Sequence, residues 1–338
     1  MSSDHLVSIV AIEAARETIA GRVHRTPLLS SSTSARIVEA ATGVRVGDGR
    51  VYLKAEHLQK TGSFKPRGMV ARLAVLSEEE RRRGIITISA GNAAQGYAYA
   101  GAAAGVAVTV VMPATAVASK VAATRGYGAE VVQEGEHIGE TVEAMERLQQ
   151  ERNLVFCHPY DDPDVIAGMA SAGLEIIDDL PDVDVVVVPV GGGGLISGIA
   201  AAVKERRPSV RVFGVEPVGS DALRRSVAAG EPVRIEPRSI ADGLNSPNGG
   251  RWNIAMAKRY VDDIVLLEDE EILAGLRFTL ERTKQLVEPA GAAAHAALLV
   301  GRIPIRSGER VCAVLSGGNV DLGRLGDLLA AAGPLAVA

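Results

Sequence analysis

The stretch VVVVPVGGGGLISGIAAAV, residues 185–203, sets a valine run against four consecutive glycines and follows them with an alanine-rich segment. With the two residues before it the run reads VDVVVVPV, almost continuously hydrophobic. A strand without polar alternation is buried on both faces, as the centre of a parallel sheet is. The order strand, glycine turn, helix then predicts one step of a parallel α/β fold. Outward from this unit the same alternation recurs. Apolar runs predict strands over 51–56, 85–89, 107–112, 130–133, 154–158, 183–189, 210–216 and 310–315. Ala-rich patterns predict helices over 66–76, 92–105, 118–127, 138–152, 164–178, 195–206, 220–229 and 269–286. With 338 residues, no internal repeat and no low-complexity linker, the chain reads as two lobes around a shared cleft.

Composition removes several classes of function. Cys157 and Cys312 sit in apolar strand-like runs, which suits reduced core thiols and a cytoplasmic location. The N-terminal MSSDHLVSIVAIEAARETIAGRVHR mixes Asp4, Glu13, Arg16 and Glu17 into an amphipathic helical pattern without an apolar export signal. Residues 84–119 carry no charge, yet they are mostly Ala and Gly and lack the Leu, Ile and Phe that drive membrane insertion. Basic residues are scattered, the net charge is −5 and only 3% of residues are aromatic, so nothing supports nucleic-acid binding. Arg81–Arg83 follow SEEE and read as a solvated helix end.

Four motifs carry chemistry. Gly191, Gly192, Gly193 and Gly194 can present successive N–H groups with no Cβ in the way, at the positive end of the helix that follows, which suits a phosphate. The alternative is a tight strand–helix packing turn, which one or two glycines would satisfy. Neither a G-x-G-x-x-G dinucleotide fingerprint nor a Walker A loop can be placed there. KAEHLQKTGSFKPRG, residues 54–68, sets Lys65 in a small, glycine-flanked turn. Phe64 can lie against an aromatic ring, and Arg67 is expected to keep the surroundings cationic and so, with desolvation, to lower the lysine's pKa; the alternative is an exposed loop lysine. TISAGNAAQG, residues 87–96, follows a strand and opens a helix, a second anion seat or an ordinary N-capped helix. VLSGGNVD, residues 314–321, ends the last strand, where Ser316 points a hydroxyl into a cleft or caps a turn.

Taken along the chain, as the Lys65 turn, the Asn92 turn, the four glycines and the Ser316 turn, the motifs resemble the fold type II pyridoxal-phosphate enzymes, and among them the threonine/serine dehydratases (ammonia-lyases) and serine racemases. RTPLL, VVMP, YGAEVV, HPYDDPDVIAG, GVEP, ADGL and KQLVEPAGAAA extend the resemblance over roughly residues 20–325. It implies a tryptophan synthase β-like α/β fold of two open, twisted, mainly parallel sheets flanked by helices. Residues 1–69 and 159–338 would form the large cofactor-binding domain, and residues 70–158 a small domain closing over substrate. It implies pyridoxal 5′-phosphate on Lys65 as a Schiff base, with Phe64 beside the ring and Asn92 at its 3′-oxygen. Gly191–Gly194 would hold the phosphate and Ser316 the pyridine nitrogen. Ser89, Gly91, Asn92 and Ala93 would hold the carboxylate of a small amino-acid substrate. The implied reaction is loss of water from L-threonine or L-serine, giving a 2-oxo acid and ammonia. Another β-hydroxy amino acid, such as 3-hydroxyaspartate, or serine racemisation is the alternative.

Three departures bear on that reading. Ala93 stands where the family usually has His, which leaves substrate choice open. Ala90 stands where serine racemases place a second serine, which favours elimination over racemisation. The chain ends soon after LSGGN, so a C-terminal regulatory domain and isoleucine feedback are not expected. By the same resemblance a divalent cation (Mg or Ca) would bind Glu216 and the carbonyl of Ser220, although Ala222 replaces the family's second acid. Glu288 reads as a group orienting the ring or as a cap or salt bridge, and His158 as structural or functional. A dimer or tetramer is the family's usual assembly.

Overall fold

The computed structural model describes residues 5–335. Among them the strands are β1 (Leu28–Ser31), β2 (Val51–Lys54), β3 (Ile85–Ile88), β4 (Val108–Met112), β5 (Glu130–Gln133), β6 (Val155–Phe156), β7 (Val185–Pro189), β8 (Arg211–Pro217), β9 (Asp263–Leu267) and β10 (Val311–Val314). The helices are α1 (Ile9–Ile19), α2 (Ser32–Thr42), α3 (Pro66–Ala74), α4 (Glu78–Arg83), α5 (Asn92–Ala104), α6 (Ala118–Gly126), α7 (Ile138–Glu151), α8 (Pro163–Asp179), α9 (Gly194–Arg206), α10 (Ala222–Ala229), α11 (Arg251–Tyr260), α12 (Asp269–Phe278), α13 (Pro289–Leu299) and α14 (Leu322–Ala331).

Two sheets result. The larger has the order β1-β2-β10-β7-β8-β9 and the smaller β5-β4-β3-β6. Every pairing is parallel except β1 with β2. The valine run is β7, an inner strand buried at every position. Val186 and Val188 enter one core with residues of α1, α3, α8 and α9, whereas Val185 and Val187 enter a second core with α12 and α13. That two-sided burial is why the run shows no alternation. Cys157 and Cys312 are buried and unpaired.

Local chemistry sets the ends of the elements. The SEEERRR segment is the short helix α4, closed at its start by a capping box between Ser77 and Glu80. The helix predicted over 269–286 stops at Phe278 and continues as a π turn over 279–283, after which Lys284 is left-handed with φ 60°. The Thr279 hydroxyl donates to the Gly275 carbonyl and that of Thr283 to the Thr279 carbonyl, bonds that loosen a helix. The reversal brings Glu288 to the cleft. Among the described residues, no helix is long and apolar enough to cross a membrane.

Candidate active site

The quoted motifs line one cavity, to which both sheets contribute, Ile88 from β3 and Pro189 from β7. A cavity of about 770 Å³ is lined by Lys65, by Ser89–Ala93, by Gly191–Gly194, and by Glu288 and Ser316. Such a volume suits a cofactor and a small substrate. Lys65 directly precedes α3, with Pro66 at the first helical position. The turn before it is stitched to the LSGGN turn. Phe64 N–H donates to the Ser316 carbonyl (3.1 Å), Gly318 N–H donates to that of Gly62 (2.9 Å), and Ser63 bridges Gly317. Gly62 is required here: its φ is 72°, and a Cβ would lie 2.4 Å from Asn319 Oδ1.

Lys65 Nζ has one hydrogen bond, to the Pro159 carbonyl at 3.3 Å, and lies 5.0 Å from the Phe64 ring centre. Burial pushes its ammonium down to about 8, against the opposing charge of Glu288. The expected cationic influence of Arg67 is corrected by the structure. Arg67 is fully buried and pairs with Glu56 and Glu175, while Lys54 pairs with Glu175 as well. Two cations and two carboxylates cancel. Desolvation, not Arg67, makes the amine less basic, and Arg67 instead ties the first turn of α3 to the 56–58 turn and to α8.

The glycine turn has two duties. Packing alone demands glycine at 192, where a Cβ would lie 2.4 Å from the Tyr160 ring, and at 193, where φ is 102° and a Cβ would lie 2.8 Å from that of Asn253. All four glycines also line the cavity, and no side chain caps the start of α9. Ser197, in the first turn of α9, keeps a buried hydroxyl without a protein partner. Free N–H groups, a helix N-terminus and an orphan hydroxyl are the chemistry a phosphate needs.

The SAGNA turn is not an ordinary N-cap. Gly91 is the residue before α5, and no side chain caps that helix either. The Asn92 amide instead donates to Glu288 Oε1 (2.6 Å), and its oxygen accepts from Asn319 Nδ2 (2.8 Å). The first N–H groups of α5 are thereby left to the cavity, as an anion seat requires. The Ser89 hydroxyl accepts from Gly91 N–H at 3.2 Å. Ser316 Oγ is buried with one long contact, 3.5 Å to the Ala290 carbonyl. Glu288 is buried, and burial, with the Asp242 charge, raises its carboxyl to about 7.

Several residues of the site escaped sequence reading. Asn319 lies in the quoted LSGGN motif but received no role, and Tyr160 lies in HPYDDPDVIAG. Lys120 of α6 and Asp242 both line the cavity and pair at 2.6 Å. His158 lines the cavity, and its Nδ1 accepts from Tyr160 N–H (3.2 Å) and Asp161 N–H (2.8 Å), while burial lowers its pKa. Glu216 accepts from the N–H groups of Leu223 (2.8 Å) and Arg224 (3.0 Å), and the Ser220 hydroxyl donates to the Leu244 carbonyl (3.0 Å). Among the described residues, no three His, Cys, Asp or Glu side chains gather as a metal site.

An amine of lowered basicity beside two uncapped helix starts suits an aldehyde cofactor that bears a phosphate. Residues 19–317 match the family described as pyridoxal-phosphate dependent enzyme, and the chain belongs to that family. It is 44% identical to an L-threonine ammonia-lyase of Thermotoga maritima, over 94% of this chain and 77% of the relative. A solved threonine deaminase from T.th. shares 40% identity with a TM-score of 0.83, covering 93% of this chain and 99% of the other. Maize serine racemase shares 34% identity with a TM-score of 0.88, covering 95% and 96%.

Proposed function

We propose that this chain is a pyridoxal-phosphate-dependent ammonia-lyase that removes water from L-threonine and L-serine and yields a 2-oxo acid and ammonia. The observation that carries the reading is the Lys65 amine, lowered to about 8, opening on the same cavity as the uncapped starts of α5 and α9. The threonine ammonia-lyase and threonine deaminase relatives support the substrate class. Lys65 Nζ would bind the cofactor's aldehyde, Gly191–Gly194 its phosphate, Phe64 the ring, Asn92 the 3′-oxygen and Ser316 the pyridine nitrogen. Bound pyridoxal phosphate supplies a conjugated ring that accepts the electron pair left when the α-proton departs.

The residues of the chain do the rest. Lys65 Nζ, released when the substrate's own amine takes its place on the aldehyde carbon and neutral in part because it is desolvated, would take up the α-proton. The first N–H groups of α5, with Ser89, Gly91, Asn92 and Ala93, hold the substrate carboxylate. Glu288 fixes the Asn92 amide. Ser316 offers a neutral hydroxyl, which does not hold a proton on the ring nitrogen as an aspartate would, and this favours loss of a β-group. Residues 70–158 contribute the carboxylate seat and the rest of the chain Lys65 and the glycine turn, so closure of the smaller lobe would exclude water. The two free buried cysteines support a cytoplasmic enzyme, and a homo-oligomer accords with the family.

Likeness to maize serine racemase favours racemisation as the second reading. Ala90 lines the cavity without a group that could exchange a proton, and this supports elimination. Purified enzyme given L-serine and L-threonine separates the two. Release of pyruvate and 2-oxobutyrate faster than formation of D-serine is expected, and D-serine without 2-oxo acid would reverse the assignment.

A further inference from the structure

The cavity has an apolar recess that neither the cofactor nor the substrate's amine and carboxylate would use. Ile88 at the end of β3, Val117 after β4, Phe156 at the end of β6, and Ile138, Val142 and Met145 of α7 bound it. Its origin lies in how α7 covers the smaller sheet. Ala144, Met145 and Leu148 pack on Ile86 and Val111, whereas Ile138 at the start of α7 remains 45% exposed and Val117, just before α6, 51% exposed, although both line the cavity. Apolar surface is left unburied beside a substrate seat.

We infer that this recess receives the β-substituent of the substrate, and that the chain accepts β-hydroxy amino acids bearing a branched-alkyl or aryl group as well as serine and threonine. The inference rests on the ammonia-lyase reading and deepens it. With the amine directed to the Lys65 end and the carboxylate to the start of α5, the β-carbon is the part of the substrate without a partner. The recess begins at Ile88, one residue before the seat. Ala93 packs into the core on the α5 side of the smaller sheet, whereas Ile88, Phe156 and Met145 pack on the α7 side, so position 93 does not fill the recess. Burying an apolar substituent against these side chains would strengthen binding in proportion to the area removed from water.

The test compares kcat/KM for L-serine, L-threonine, 3-hydroxyleucine and 3-phenylserine in the parent and in Val142→Trp, which fills the recess. A 3-phenylserine to serine ratio of at least one tenth in the parent, falling at least tenfold in the variant, is expected. A parent ratio below one tenth, or a ratio unchanged by Val142→Trp, overturns the inference. Binding without chemistry is read from the unfolding midpoint: 3-phenyllactate should raise it more than lactate in the parent, and equal shifts overturn the inference. Should Val142→Trp fold poorly, Val117→Asp, at a half-exposed position, puts a charge in the same recess and should lower the ratio equally. Turnover of serine without the larger substrates rejects this inference alone, whereas no turnover of any substrate rejects the ammonia-lyase reading with it.

Discussion

Replacing Arg67 by Met removes the centre of a buried ionic cluster while keeping much of its volume. The guanidinium donates to Glu56, Glu175, Ser171 and Thr26 over distances between 2.7 and 3.3 Å, and it is fully buried. With Arg67 gone, Glu56 and Glu175 face Lys54 alone, and a neutral cluster acquires one net negative charge out of reach of water. Removing one partner of a buried ion pair typically destabilises by about 3–5 kcal/mol, because the remaining charge stays unpaired. For a chain of this size that lowers the thermal midpoint by about 4–7 °C. Guanidinium and thermal unfolding of the cofactor-free protein measure it. A second substitution, Glu56→Gln, restores neutrality and should recover about half of the loss, so the two changes are non-additive. An Arg67→Met protein within about 1 kcal/mol of the parent, or a double variant no more stable than the single one, would mean that the cluster does not depend on charge balance.

Other outcomes follow from the same geometry. Gly192→Ala puts a methyl group into the Tyr160 ring, 2.4 Å away, and should destabilise by about 1–3 kcal/mol and weaken pyridoxal phosphate binding at least tenfold, as unfolding and absorbance titration would register. Asn92→Ala breaks the link to Glu288 and Asn319 and should lower kcat/KM by about 10- to 100-fold with a smaller effect on the unfolding midpoint. Capture of pyridoxal phosphate by cofactor-free protein should accelerate with pH around a midpoint of about 8 rather than 10.5, as stopped-flow absorbance can follow. The linked stability has a definite sign. Lys65 is depressed in the fold, so its contribution rises with pH between about 8 and 10.5. Glu288, raised from 4.5 to about 7, contributes fully below 4.5 and loses that contribution as pH climbs through 7.

Elements whose pattern lies within their own residues were legible in the sequence. β7 and the strands on either side of it announced themselves as apolar runs, and the glycines and Lys65 through their residue types. β1, written LLSS, is too short and polar to stand out. α13, PAGAAAHAALL, is buried at every position and so has no polar face to reveal a helical period. Its His295 is kept neutral, pushed down to about 3 by burial and hydrogen-bonded to Thr279 and Ser34. The hidden part of the site consists of contacts distant in sequence. Asn92 meets Glu288 across 196 positions and Asn319 across 227. The charge of Arg67 was readable, but its cancellation was not, because Glu175 lies 108 positions away.

Borohydride reduction of the enzyme loaded with pyridoxal phosphate, followed by peptide mapping, shows which lysine carries the cofactor. A single pyridoxyl group is expected, on the peptide that contains Lys65, with loss of visible absorbance together with activity. Labelling of another lysine, or a Lys65→Ala protein that releases 2-oxo acid from threonine at the parent rate, would contradict it.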